Sequence, residues 1–478
     1  MNGTEQLRQY SFPDLPHGGN RNSVRRAAQW RAKVWSNPIF GVLLYLLSAV
    51  SPGLAANWKV AAFRADVTPN LGEPLIWVTP AVQTDDPLWA KGVVLDDGKH
   101  RYVLCALDWC GVGGSVYELF RRRIAEKAGT EVSYVALHSV HQHTAPYVEG
   151  DGMALLERQS LPGRRMSQQF LQQTVEHLGQ AVGEATTHLE PVDQIGIGEA
   201  TVRRSASARR IFHQGKLLTR YSTGGRDPLQ AELPEGAIDP QIRTITFLQG
   251  NRALVRIHYY AVHPQTFCCD GHISGDFVGL ARERVEQKER VPQIYFTGCA
   301  GDVTVGKYND GSRIAREKLA GNLEEGMTAS IQSTRFLVPG KIRWSKVSLD
   351  VPPRDSAYLA RHRAVLEEPQ KQSGDALYRA AIALEFAARK KSLELSSLCF
   401  GEVCILHLPG EPMLEFQNYA LALRPALFTS VAGYGDIRPG YLCTDQAFEQ
   451  GGYEPGASNA GPGTESRLKS AIKRILGP

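Results

Sequence analysis

Short apolar runs bounded by turn residues alternate along this chain with longer segments of helical periodicity. Runs over 91–95 and 102–107 flank Asp96-Asp97-Gly98, and runs over 243–248 and 253–260 flank Gln249-Gly250-Asn251. Each pair predicts two strands joined by a turn. Apolar positions at helical spacing predict helices over 117–128, 167–187, 277–289 and 312–333. A strand–helix–strand order of this kind indicates an α/β fold.

Later in the chain, charged residues and helical spacing coincide over 357–366 and 375–393. This pattern predicts a helical pair on the outside of the molecule. The chain between the predicted elements contains neither an internal repeat nor a clean linker. We therefore predict one continuous domain over 57–478.

Three histidines lie within six residues in the run VALHSVHQHTAP, at 135–146. The apolar residues before them predict a buried strand, which the proline at 146 cannot continue. Imidazole is the commonest zinc ligand, so histidines at a strand end suggest a metal site. The alternative is two hydrogen-bonded loop histidines and one core histidine. The spacing alone leaves both interpretations open.

Composition changes this picture mainly at the N-terminus. The 478 residues are 42% hydrophobic and 22% charged, with a formal net charge of +5. Most of that charge lies in residues 1–36, which contain six basic and two acidic residues, so nothing suggests a nucleic-acid surface. An uncharged stretch at 38–56 follows and ends in small residues, as in a secretory signal peptide. We predict a leader over 1–56 and export, with an uncleaved membrane anchor as the alternative.

Three further residues are candidate ligands on local grounds. His263 ends an apolar strand as His141 does, and Glu411 lies in a strand-to-helix turn after Pro409-Gly410. Tyr441 lies in a Gly-rich loop. A core histidine, a carboxylate beside a helix N-terminus and a packing tyrosine are the respective alternatives. The eight cysteines form no CxxC pair, which excludes a zinc ribbon, although Cys399 and Cys404 flank a possible hairpin turn.

Taken in order, these segments resemble motifs of the neutral/alkaline ceramidase family. VHQHTAP is similar to that family's HTHSGP, and AVHPQTFCCDGHISGDFVGLA is similar to AVHGTS…ISGDNKGYA. TGCAGDVT, LPGEPM and GYLCTDQAFEQGGYE resemble NxGDVSPN, VPGEFT and HYVTTxEEYxxxxYE. The resemblance extends over about residues 58–455. It implies an α/β catalytic domain with mixed β-sheets and flanking helices, and no C-terminal immunoglobulin-like domain.

The resemblance also implies a set of site residues. The zinc ligands of the family fall on His141, His263, Glu411 and Tyr441. The second histidine of its HxH element falls on His143, and the arginine of its NRSP element falls on Arg204 in VRRSASA. Such proteins are Zn²⁺-dependent amide hydrolases that split ceramide into a sphingoid base and a fatty acid.

A bound zinc lowers the pKa of its water, which then attacks an amide carbonyl. We expect His143 to act as acid or base and Tyr441 and Arg204 to stabilise the oxyanion. Tyr441 is either a zinc ligand or an oxyanion donor. His138, three residues before His141, is expected to be structural.

Residues beside these motifs differ from the family and leave the substrate open. Thr144-Ala145 replaces Ser-Gly, and Pro264-Gln265-Thr266 replaces Gly-Thr-Ser. The alternatives are a zinc amidase or esterase of the same fold acting on another N-acyl or ester substrate, and a non-catalytic exported binding protein. A metallo-β-lactamase-type site is excluded, because HxHxDH is absent. A lipid substrate would make peripheral membrane contact useful, although no basic amphipathic face stands out. The oligomeric state is left open.

Overall fold

The computed structural model describes residues 58–163, 165–389 and 392–477. These residues form 12 α-helices and 24 β-strands. The helices are α1 Gly114–Ala128, α2 Gly150–Arg158, α3 Gln168–Ala185, α4 Pro228–Glu232, α5 Asp276–Glu289, α6 Arg313–Gln332, α7 Ser356–Glu367, α8 Gly374–Ala388, α9 Leu414–Leu423, α10 Asp445–Gln450, α11 Tyr453–Ala457 and α12 Thr464–Leu476.

The strands of the first half are β1 Trp58–Asp66, β2 Gln83–Thr84, β3 Trp89–Asp96, β4 Arg101–Leu107, β5 Gly111–Gly113, β6 Val135–Ser139, β7 Tyr147–Glu149, β8 Glu190–Val192, β9 Gln194–Thr201, β10 Ser207–Ala208, β11 Arg210–His213 and β12 Lys216–Thr219. Those of the second half are β13 Gln241–Gln249, β14 Arg252–Tyr260, β15 His272–Ile273, β16 Gln293–Thr297, β17 Val303–Thr304, β18 Arg335–Leu337, β19 Ile342–Leu349, β20 Leu393–Phe400, β21 Val403–His407, β22 Glu411–Pro412, β23 Phe428–Ala432 and β24 Tyr441–Leu442.

Three larger sheets share one construction. Their strand orders are β6-β4-β3-β1-β8, β16-β14-β13-β9-β18 and β19-β20-β21-β23. In each sheet the pairing is antiparallel except at one edge, where β4 and β6, β14 and β16, and β21 and β23 run parallel. Parallel neighbours end at the same edge of a sheet. Each sheet therefore brings two strand ends, distant in sequence, to one place.

The sheets and their helices surround a shared apolar core. Val93 and Leu104 of the first sheet, Phe247 and Ile257 of the second and Ile405 of the third belong to one buried cluster. Their strands are buried with few polar interruptions, as expected for sheets covered on both faces. The α/β fold with mixed sheets and flanking helices, predicted above, is confirmed.

Both predicted strand pairs are present as antiparallel pairs, β3 with β4 and β13 with β14.

Ser167 and Ser312 accept hydrogen bonds from the first turns of α3 and α6, so side-chain caps fix where these helices begin. Cys399 and Cys404 face each other across β20 and β21 and form a disulfide.

The prediction that the helical pair lies on the outside is wrong for α8. This helix ends at Ala388, earlier than predicted, and residues from Leu393 form β20. One whole face of α8, including Leu377, Ala381 and Phe386, is buried. The charges of α8 misled the prediction because they occupy only one side of the helix.

A buried ion pair ties the end of β4 to α5. Asp108 and Arg282 are 0% and 1% exposed, and the guanidinium donates from Nη1 and Nη2 to the two carboxylate oxygens at 2.8 and 2.7 Å. Oδ2 of Asp108 also accepts the backbone N–H of Trp89 at 3.0 Å. The pair fixes the course of the chain just before Trp109 and Cys110.

The leader predicted over 1–56 lies outside the described residues, and its boundary with the catalytic domain stays a prediction. Among the residues described, no helix combines the length and apolar character needed to cross a bilayer.

Candidate metal centre

The ends of the parallel strands bring three predicted ligands together. His141 follows β6, His263 follows β14 and Glu411 follows β21, one from each large sheet. Backbone hydrogen bonds connect these ends, for example from Ser139 N to the carbonyl of Tyr434 at 2.8 Å. Ligand atoms from distant parts of the chain therefore converge without any helix carrying them.

The three donor atoms form a small triangle. His141 Nε2 lies 3.0 Å from His263 Nε2 and 3.2 Å from Glu411 Oε2, and His263 Nε2 lies 3.6 Å from the same oxygen. A tetrahedral zinc with bonds of about 2.0–2.1 Å keeps its donors about 3.3 Å apart. The triangle therefore has the size that a zinc ion requires.

Backbone carbonyls set the tautomer of both histidines. His141 Nδ1 lies 2.5 Å from the Cys110 carbonyl, and His263 Nδ1 lies 2.8 Å from the Ala300 carbonyl. A carbonyl oxygen only accepts, so each Nδ1 carries the proton and each Nε2 presents a lone pair. Such an outer hydrogen bond is usual for a metal-ligating histidine. Cys110 follows β4 and Ala300 follows β16, so the parallel partner of each histidine's strand supplies the carbonyl.

The triangle lacks a proton donor. His141 and His263 are 2% and 0% exposed, and buried Glu411 Oε2 has no hydrogen-bond partner among the described residues. Burial first, and then the positive charge of Arg209, hold the pKa of His263 well below its usual range. Two facing lone pairs beside a carboxylate oxygen are unfavourable in a buried site unless a cation lies between them. The residues present therefore fit a divalent metal.

Backbone strain marks the same place. His141 and Tyr434 have positive φ values of 77° and 61°, which non-glycine residues rarely adopt. Their rings stack with centroids 4.3 Å apart, and the Tyr434 hydroxyl lies 3.2 Å from His263 Nδ1. Strain of this kind costs on the order of 1–3 kcal/mol per residue and is concentrated at functional sites.

Tyr441 is brought beside Glu411 by the two-residue parallel pair of β22 and β24, in which the two residues are register partners. Its ring lies parallel to that of His263 with centroids 6.4 Å apart. Buried Arg209 donates from Nη1 to the Tyr441 hydroxyl at 3.1 Å and to the Gly301 carbonyl at 2.9 Å. The Tyr441 oxygen accepts the hydrogen bond from Arg209, so the hydroxyl proton of Tyr441 remains available to donate to another group.

His143 projects beside the triangle without joining it. Its ring centroid lies 5.0 Å from that of His141 and 5.4 Å from that of His263. The side chain is 6% exposed, and neither ring nitrogen has a hydrogen-bond partner among the described residues. Burial and the neighbouring His141 hold the pKa of His143 well below its usual range. A neutral imidazole with two free nitrogens is equipped to move a proton.

The structure separates the two arginines of this region. Arg204 is exposed, and its backbone carbonyl accepts a hydrogen bond from Asn322. No described contact connects Arg204 with the triangle. Arg209, five residues later, is 3% exposed and lies beside Tyr441. Sequence reasoning missed Arg209, because its position next to β10, whose partner β17 follows Ala300, is visible only in the fold.

His138 lies on the strand side of the cluster. Its Nδ1 donates to the Gly433 carbonyl at 2.6 Å, and burial lowers its pKa to about 4. It faces away from the triangle toward His407, with ring centroids 5.3 Å apart. This placement suits the supporting role expected for it.

A second group of possible ligands overlaps the first. The side chains of Cys110, His141 and His143 also lie within 4.8 Å of one another. Here the Cys110 sulfur approaches Nδ1 of His141 at 3.7 Å. That nitrogen is already committed to the Cys110 carbonyl, so the Glu411 set fits a metal better.

A cavity opens onto these residues and encloses about 110 Å³. His141, His143, Glu411 and Tyr441 line its inner end. The partly exposed side chains of Trp77, His362 of α7 and Arg379 of α8 also line it and define its outer part. A substrate entering here would meet the ligand triangle, the free imidazole and the Tyr441 hydroxyl together.

The fold of this chain resembles solved structures, whereas a scan against protein-family models and a search of the curated proteins found no match. A neutral ceramidase from Pseudomonas aeruginosa superposes with a TM-score of 0.67 and 16% identity, covering 88% of this chain and 74% of that one. A ceramidase complexed with C2 superposes with a TM-score of 0.66 and 14% identity, covering 88% and 75%. The resemblance seen in the motifs is thus confirmed for the backbone, and the chain has the neutral ceramidase fold.

Proposed function

We propose that this protein is a zinc-dependent amide hydrolase that cleaves the N-acyl bond of ceramide-like lipids to a free amine and a fatty acid. One observation carries the proposal. The Nε2 atoms of His141 and His263 face each other and a Glu411 oxygen at 3.0–3.6 Å, and that oxygen has no hydrogen-bond donor among the described residues. They do so in a fold shared with proteins described as ceramidases.

His141, His263 and Glu411 would hold the zinc, and Tyr441 would be either a fourth ligand or an oxyanion donor. When bound, zinc supplies Lewis acidity that polarises a carbonyl and lowers the pKa of water toward neutrality. Both histidines are correctly oriented for this role before any metal arrives, because the carbonyls of Cys110 and Ala300 hold their Nδ1 protons.

The other residues account for the proton and the developing charge. His143 takes a proton from the attacking water as the oxygen adds to the carbonyl carbon. It then delivers that proton to the amide nitrogen, so that the C–N bond breaks to give a carboxylic acid and an amine. Tyr441, whose oxygen accepts from Arg209, directs its own proton toward the oxyanion. Arg209 takes the part that the sequence assigned to Arg204, because it is the arginine in contact with Tyr441.

A substitution at a ligand tests the proposal directly. In His141→Ala we expect loss of both bound zinc and hydrolysis, measured by elemental analysis and by fatty-acid release from a panel of N-acyl amines. His188→Ala, at an exposed histidine, is the matched control and should keep both. A His141→Ala protein with full activity and stoichiometric zinc would refute the assignment.

A second candidate is a zinc amidase or esterase of the same fold acting on a different N-acyl or ester substrate. The residues at the outer end of the cavity favour this alternative, because they include a guanidinium group that a neutral lipid does not require. A non-catalytic binding protein would hold metal without turnover. Export, proposed from residues 1–56, would place the enzyme where extracellular or membrane lipids are accessible.

A further inference from the structure

The outer part of the metal-site cavity carries positive charge. Tyr358 and His362 of α7, Arg379 of α8 and Trp77 line it. The enclosed volume of about 110 Å³ is small beside the roughly 300–1,000 Å³ of ordinary ligand sites. The enclosed part therefore suits a small group next to the scissile bond, with any long chain lying outside.

Arg379 is held in place but keeps part of its guanidinium free. Its Nε donates to both carboxylate oxygens of Asp375 at 3.0 Å, and its Cζ lies 3.5 Å from the centre of the Trp77 ring. The terminal nitrogens Nη1 and Nη2 have no partner among the described residues, and the side chain is 40% exposed. A guanidinium fixed by its Nε edge and one face presents its terminal donors as a rigid pair, which matches a carboxylate or phosphate.

Trp77 is itself held in an unusual conformation. Both Trp77 and Val78 have positive φ, at 55° and 54°. The Trp77 ring contacts Tyr147 as well as Arg379. The chain thus accepts strain at two bulky residues in order to place this ring over the guanidinium.

Two further arginines add to the positive charge. Arg354 and Arg361 lie over the Tyr358 ring, with Cζ 4.6 and 5.8 Å from its centre. Neither has a carboxylate within ion-pair distance among the described residues. The nearby acid Asp355, which directly precedes α7, instead accepts the backbone N–H of Tyr358 at 2.7 Å and caps the helix. Asp375 is thus the only acid paired with these three cations in the described part of the chain.

The three arginines also influence the ionisable side chains that line the cavity. Burial raises the pKa of the Tyr358 hydroxyl, and the three guanidinium groups act together to lower it. The pKa of His362 is lowered by burial and by Arg361 and Arg354, so this imidazole stays neutral at pH 7 and does not compete for an anion. A neutral lipid head group would provide no negative charge to interact with these three guanidinium groups.

We propose that the substrate is an anionic N-acyl amine, whose carboxylate or phosphate, next to the scissile amide, is bound by the free edge of Arg379. This inference rests on the proposed amide-hydrolase function. It specifies the substrate of the second candidate above, a different N-acyl compound, in place of ceramide-like lipids. N-acyl amino acids carry such a carboxylate, and N-acyl phosphoethanolamines carry such a phosphate. Ceramide carries neither.

The test compares matched substrates with the zinc-loaded enzyme. N-dodecanoylglycine, its neutral isostere N-dodecanoylglycinamide and N-dodecanoyl phosphoethanolamine are assayed for kcat and KM. We expect wild type to prefer at least one anionic substrate over the neutral amide by about tenfold or more in kcat/KM. The better anionic substrate identifies carboxylate or phosphate as the recognised group. A wild type that cleaves the neutral amide as well as both anionic substrates would overturn the proposal and leave the hydrolase function intact.

Variants assign the preference to Arg379. Arg379→Gln should reduce the anionic-to-neutral ratio to about one, mainly through a higher KM for the anionic substrate, and Arg379→Lys should restore part of it. Arg158→Gln is the control, because Arg158 pairs with Glu385 of α8 outside the cavity and the charge change is the same. An unchanged ratio in Arg379→Gln, or an equal fall for all substrates, would show that Arg379 has only a structural role.

A binding measurement separates this proposal from the function on which it rests. If wild type cleaves nothing, the hydrolase function fails. Calorimetric titration of zinc-loaded His143→Ala with N-dodecanoylglycine and N-dodecanoylglycinamide still examines the cavity, because no turnover is needed. Tighter binding of the anion, lost in Arg379→Gln, would support the anionic site, and equal binding of the two ligands would exclude it.

Discussion

Asp108→Asn tests how much the buried ion pair behind the candidate metal centre contributes to the stability of the fold. The substitution keeps the size of the side chain and replaces one carboxylate oxygen by an NH₂ group. That group faces a guanidinium N–H, so one of the two bonds to Arg282 becomes a contact between donors. The positive charge of Arg282, whose pKa is raised by Asp108, then loses its two-point partner and keeps only the partly buried Glu283 carboxylate, 3.4 Å from its Nε.

The geometry sets the expected magnitude. Both side chains are within 1% of complete burial, so water cannot replace the lost partner. Breaking a buried pair by removing one charge costs about 3–5 kcal/mol. The unfolding entropy of a domain of roughly 400 residues is about 0.8 kcal/mol/K, so we expect Tm to fall by about 4–6 °C.

Thermal and urea unfolding of metal-free protein measure this change without a contribution from zinc binding. Asp350→Asn is the control, since Asp350 is 73% exposed and lies 3.7 Å from Arg389, and such a pair is worth less than about 1 kcal/mol. The double variant Asp108→Leu/Arg282→Met should recover much of the loss, because it removes both charges. A fall in Tm below about 1 °C, or a double variant no more stable than Asp108→Asn, would refute the reasoning.

Three other predictions follow from the site and its surroundings. Chelation of the metal should lower Tm by about 5 °C relative to protein with zinc at about 1,000 times Kd, reversibly, and identical melting curves would contradict a metal centre. Arg209→Gln should lower kcat by about tenfold or more, because the Tyr441 hydroxyl loses the donor that fixes it. The zinc content, measured by elemental analysis, should be retained. An unchanged kcat would exclude a role of Arg209 in orienting Tyr441. Burial raises the pKa of Glu149 to about 8 from 4.5, so the native state binds the extra proton and stability falls as pH rises between these values. Glu149→Gln should remove this dependence and gain as much as about 4 kcal/mol at pH 8 in urea unfolding, whereas an unchanged pH profile would contradict it.

The sequence was most informative where local chemistry decides the structure. Turn residues such as Asp96-Asp97-Gly98 and Gln249-Gly250-Asn251 fix a strand pair by themselves, and Ser312 fixes a helix start, so these elements were predicted closely. The pattern failed at α8, where charge suggested exposure. Which face of a helix is buried depends on α2 and the cavity wall, which no local pattern contains.

The candidate site could not be predicted from any one sequence segment taken alone. His141, His263 and Glu411 each had an ordinary local alternative, and only their resemblance to a family's motifs grouped them. Arg209 gave no local signal, because its relation to Tyr441 arises from contacts between residues 232 positions apart. The carbonyls that set the histidine tautomers belong to the backbone, which every residue has, so the sequence gives no sign of them.

The convergence of the three parallel edges has a consequence for how the protein folds. His141 and His263 are 122 residues apart, and the other ligand comes from a third sheet. No single sheet can present the proposed ion with its full set of donors, and the entropy of closing such long loops must be overcome first. High-affinity metal uptake should therefore coincide with the last docking of the sheets during refolding. A zinc-sensitive probe would then report completion of the native state, whereas a nascent chain that has not yet emerged as far as Glu411 would bind the ion only weakly.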